Sequence, residues 1–63
     1  MDTVLMYPRK CRQSMRILMN EIGVPADTAY NMMLMTATLM DLNPDDDKVV
    51  DMILADCGVE VRA

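Results

Sequence analysis

The stretch from Tyr30 to Leu42, YNMMLMTATLMDL, holds four methionines in thirteen residues and constrains the fold more than any other part of the chain. Wound as an α-helix together with the residues from Ala26 that precede it, it places Ala26, Tyr30, Met33, Ala37 and Met40 on one apolar stripe and Met32, Met35, Leu39 and Leu42 on a second. Only the line of Asp27, Asn31, Thr38 and Asp41 is consistently polar. A helix apolar on two sides asks for neighbours on both. Left in water, the four large side chains of the second stripe would forgo on the order of 6–12 kcal/mol of burial, at roughly 1.5–3 kcal/mol each. That rivals the whole stability of a small domain, about 5–15 kcal/mol.

A chain of 63 residues makes a single domain, and its core is marginal on its own. Metal, disulfides or oligomerisation are the usual supplements. Cys11 and Cys57 with no histidine are too few ligands for a structural zinc site, and the reading favours buried free thiols over a Cys11–Cys57 bridge. A second copy of the chain is therefore the expected neighbour of the second stripe. A three-helix monomer, in which two other helices cover both stripes, is the structural alternative.

Prolines and glycines divide the chain. TVLMY, residues 3 to 7, is a short apolar run with β-branched residues, ending at Pro8 and read as extended. From Pro8 to Ile22, Cys11, Met15, Leu18, Met19 and Ile22 recur at helical spacing, and Gly23 stops that helix in a Schellman ending with Val24 packed back on Met19. PADT, residues 25 to 28, opens the second helix, which runs to about Leu42. Asn43 as cap, Pro44 and the acids Asp45 to Asp47 open a third, whose buried side is Val49, Val50, Ile53, Leu54 and Cys57 before Gly58 ends it. VEV, residues 59 to 61, reads as a short extended tail.

Charge is split along the chain. Residues 1 to 20 set Arg9, Lys10, Arg12 and Arg16 against Asp2, a balance of +3, whereas residues 21 to 63 set two bases against nine acids, a balance of −7. Arg9, Arg12 and Arg16 share one helical side. Asp41, Asn43 and Asp45 alternate as in a calcium loop, but Asp46 stands where that loop needs glycine and Met52 where it needs a bidentate glutamate, so helix capping is the expectation. With no histidine, no glycine-rich phosphate loop and no nucleophile–base pair, neither catalysis nor a metal, cofactor or small-molecule substrate is expected. No apolar run approaches the roughly 20 residues that cross a bilayer, and nothing resembles a signal peptide; the expectation is a soluble cytoplasmic protein.

The order of elements in VLMYPRKCRQSMRILMNEIGVPADTAY, residues 4 to 30, resembles the ribbon-helix-helix family of small bacterial and phage repressors and antitoxins. Pro8 stands where strand passes into helix, Cys11, Met15, Leu18 and Ile22 match core positions, and Gly23 with Val24 matches the interhelical turn. The resemblance implies a mainly α homodimer with residues 1–42 as a dimerisation and DNA-binding-like core and residues 43–63 as an added acidic helix and tail. Its dimer interface would comprise Leu5, Tyr7, Met32, Met35, Leu39 and Leu42. The paired strands would turn Asp2, Val4 and Met6 toward the major groove of double-stranded DNA, with Arg9, Lys10, Arg12 and Arg16 on phosphates. The expected function is a DNA-binding transcriptional regulator or antitoxin-like protein, its third helix open to a partner protein. The alternative is a dimeric protein-interaction module, such as a phage-type inhibitor, that does not read DNA.

Overall fold

The computed structural model describes residues 3–59 and holds, among them, three α-helices: α1 (Arg12–Ile22), α2 (Ala26–Met40) and α3 (Asp47–Asp56). Two single turns of 3-10 helix, Thr3–Met6 and Arg9–Cys11, precede them. All three α-helices touch one another, and both 3-10 turns pack on α1. The core is Val4 from the first turn, Cys11, Met15 and Leu18 from the α1 side, Ala26, Ala29, Met33 and Ala37 from α2, and Val49, Val50, Ile53 and Leu54 from α3.

The α2 face in this core follows from its residues. Ala26, Ala29, Met33 and Ala37 recur at spacings of three and four, and three of the four are alanine, so neighbouring helices can approach closely on either side of one long thioether. Tyr30 borders the stripe and meets the Tyr7 ring at a centroid distance of 4.8 Å and a tilt of 44°.

The structure corrects the fold expected from the family resemblance. No β-strand is present among the described residues, and a ribbon-helix-helix protein requires one at its N-terminus. TVLM winds as a 3-10 turn, in which the Tyr7 N–H donates to the Val4 carbonyl at 3.0 Å. An isolated five-residue ribbon has no partner for its backbone groups, whereas this turn satisfies them locally and drops Val4 fully into the core. Facing is reversed at two of the four positions, Val4 being sealed and Leu5 exposed, whereas Met6 faces out and Tyr7 packs inward as expected. The apolar run was too short for periodicity to separate strand from helix. Asp2 and residues 60–61 of the expected tail lie outside the described residues.

The helix ends differ in detail from the sequence reading. The α1 end closes on a single bond, Gly23 N–H to the Met19 carbonyl at 3.0 Å, with Gly23 at φ 78°. The paired Schellman bonds occur instead at the other two ends. At α3, Val59 donates to Leu54 at 2.8 Å and Gly58 to Ala55 at 3.1 Å. At α2, Leu42 donates to Ala37 at 2.9 Å and Asp41 to Thr38 at 3.3 Å, so the helix stops at Met40 rather than near Leu42. The α3 cap is Asp46, whose Oδ1 accepts from Lys48 N–H at 2.9 Å; Asn43 contributes only its carbonyl, to the Asp46 N–H at 3.0 Å. Cys57, expected on the buried side of α3, is exposed.

Asp41 carries a strain that glycine would relieve. It is a non-glycine residue at φ 57°, and it sets a carboxylate at the partially negative end of α2. Asp41→Gly is expected to raise stability by about 0.5–1 kcal/mol, a melting increase of roughly 2–8 °C, while Asp41→Asn should recover only the electrostatic share, a few tenths of a kcal/mol. Thermal melts followed by circular dichroism check this, and a destabilised Asp41→Gly would contradict the left-handed ending.

Candidate functional site

Packing α2 by one face leaves the opposite face in water. Of the second apolar stripe, Met32 and Leu42 are half-buried at the margin of the core, but Met35 is 68% and Leu39 85% exposed. The two lie four residues apart and form a short ridge on the longest helix. A groove of about 350 Å³ runs along one flank of this ridge, lined by Leu34, Met35, Thr38 and Leu39. A smaller one, about 180 Å³, runs along the other flank between α2 and α3, lined by Met32, Met35, Thr36, Leu39, Ile53, Asp56 and Cys57. Sequence reasoning found the ridge but missed Leu34, Asp56 and Cys57. Leu34 falls outside both stripes, and the other two depend on how α3 crosses α2.

The six residues expected at a dimer interface are thus divided. Met35 and Leu39 stand together on the open face, and Met32 borders it. Leu42 is half-buried after the end of α2, Tyr7 packs on Tyr30, and Leu5 is exposed on the N-terminal turn.

The expected DNA-facing set is also dispersed. Val4 is fully buried, whereas Met6 is 88% exposed. Arg12 is half-buried and holds the N-terminal turn: its Nε donates to the Tyr7 carbonyl and its Nη2 to the Leu5 carbonyl, both at 3.1 Å. Arg9 and Lys10 are exposed on the second 3-10 turn, and Arg16 is exposed on α1. The ribbon that would carry these groups into a groove of DNA is absent from the described residues, which removes the strand-based reading mechanism.

A third cleft, about 400 Å³, opens where Pro8–Cys11 meets Tyr30 and the loop Asn43–Asp45. It brings Arg9 and Lys10 to the same cleft as Asp45. The Cys11 thiol at its base is raised in pKa, first by burial and then by the Asp45 carboxylate, both of which disfavour a thiolate. The thiol is therefore held toward its protonated, less nucleophilic form. No group of three or more Cys, Asp or Glu side chains among the described residues is arranged to hold a metal ion, and no helix there is long and apolar enough to cross a membrane. Comparison with known protein families, curated proteins and solved structures gave no match.

The role of Arg12 is separable from that of its basic neighbours. Two charge-assisted bonds to carbonyls predict that Arg12→Ala destabilises the fold by about 1–2 kcal/mol and that Arg12→Lys, lacking the planar fork, restores little of it. Arg9→Ala and Lys10→Ala, at exposed sites, should stay within about 0.5 kcal/mol of the parent. Urea unfolding of the four variants checks the contrast. Equal effects of the alanine substitutions at all three positions would assign Arg12 no anchoring role.

Proposed function

We propose that this chain is a small protein-interaction module that docks through the outer face of α2, and that it acts by binding rather than by catalysis. The observation carrying this reading is the pair Met35 and Leu39, 68% and 85% exposed, with an apolar groove on either side. Helices are commonly recognised in such grooves, and thioether side chains adapt to the shape of what covers them. Leaving two large apolar side chains in water forgoes on the order of 3–6 kcal/mol of burial, a sizeable fraction of what stabilises a domain this short. A covering chain recovers that burial.

The protein-interaction reading is preferred over a DNA-binding regulator because of where the basic groups are. Arg12 is committed to the N-terminal turn, Val4 is sealed, and the positions of Arg9, Lys10 and Arg16 on the surface are equally those of a solvated face. A second copy of the chain and an unrelated chain both fall within the proposed reading.

Photo-crosslinking tests it. A benzoylphenylalanine at position 39, introduced in the cells that make the protein, should give a discrete protein adduct that the same group at exposed Gln13 on α1 does not. Adducts that are absent, or identical from both positions, would contradict docking through α2. Met35→Gln in the same chain should weaken the adduct while shifting stability by no more than about 0.5 kcal/mol, because the Met35 side chain does not belong to the core.

A further inference from the structure

We infer that the occupant of the α2 face is a cationic amphipathic helix of another protein, rather than a second copy of this chain; this rests on the reading of that face as a docking surface. The shape argument comes from the ridge. Met35 and Leu39 separate two apolar grooves, so an incoming helix can seat large apolar side chains from successive turns on either side of them.

The charge argument selects the partner. From Ala26 to Asp56 the chain holds seven aspartates and one base, Lys48. Asp56 lines the α2–α3 groove itself, at the partially negative C-terminal end of α3. Asp27 and Asp41, both exposed, mark the two ends of α2. Every other base among the described residues lies in the segment Arg9–Arg16, and none of them lines either groove. Two copies joined through this face would bring acid against acid, whereas lysines or arginines flanking the apolar stripe of a partner helix would meet opposite charge.

Cys57 supplies a built-in reporter. It lines the α2–α3 groove and is exposed, whereas Cys11 is 5% exposed, so alkylation by iodoacetamide reads the cover over the groove. The probes are two synthetic peptides of roughly 18 residues, about five helical turns, with the same leucine pattern and either lysine or glutamate at every polar position. The full chain should bind the lysine peptide at least tenfold more tightly than the glutamate peptide, and Cys57 alkylation should slow at least fivefold in the complex. Leu39→Gln, which leaves the charge unchanged, should weaken binding tenfold or more, and Asp56→Asn should weaken it several-fold.

Equal affinity for both peptides, or tight lysine-peptide binding unaffected by Leu39→Gln, overturns the inference. So does a chain that dimerises alone, protects its own Cys57 and becomes monomeric on Leu39→Gln, though that result upholds docking through α2. A monomer that binds neither peptide and whose Cys57 reacts at the same rate throughout overturns the inference; if the Leu39 crosslink is also absent, the docking reading fails with it.

Discussion

The seam of Ala26, Ala29, Met33 and Ala37 along α2 is the contact on which the fold depends. Methionine at the centre fills the space, and the alanines on either side admit the apolar faces of α1 and α3 without separating them. Met15 and Leu18 of α1, Val49 and Ile53 of α3, and Val4 of the N-terminal turn share one buried core with this seam. That turn is held in its place by the Arg12 fork and by the Tyr7–Tyr30 ring contact, so even the first described residues are tied to the same core.

Because the seam occupies one side of α2, the other side is left over. Three short helices can enclose a common line of contact but cannot also wrap the central helix, and the remainder is Met35 and Leu39 in water. Met35 and Leu39 contribute little to the core, so this face is not what holds the fold together. The same separation makes this face adjustable: substitutions at Met35 and Leu39 change the surface without changing what folds.

Much of the architecture could be read from residues alone. The positions of α1, α2 and α3, the apolar side of α1, and the stripe of Ala26, Met33 and Ala37 all followed from periodicity and from Gly23, Pro25 and Gly58. Two things did not. The five residues before Pro8 carry equal signals for strand and for a helical turn, and what decides between them is long-range: Val4 finding a place in the core and Arg12 reaching back to two carbonyls. The αL residue that ends α2 is an aspartate rather than glycine, which conceals its stop, and Asn43 before Pro44 offers a cap for α3 three residues ahead of Asp46, the one used. The open face was legible as a doubly apolar helix, but its grooves were not, since they depend on where Ile53, Asp56 and Cys57 of the neighbouring helix come to rest.

The central claim is that one side of α2 builds the core and the other faces solvent. Hydrogen peroxide footprinting of the methionines, read by peptide mass spectrometry on dilute protein, tests it most directly, because thioether oxidation follows access of the oxidant to sulfur. Met35 should oxidise early, together with Met6, while Met15 and Met33, both fully buried, remain reduced until the fold opens. Met35 protected to the same degree as Met33 would contradict the one-sided core.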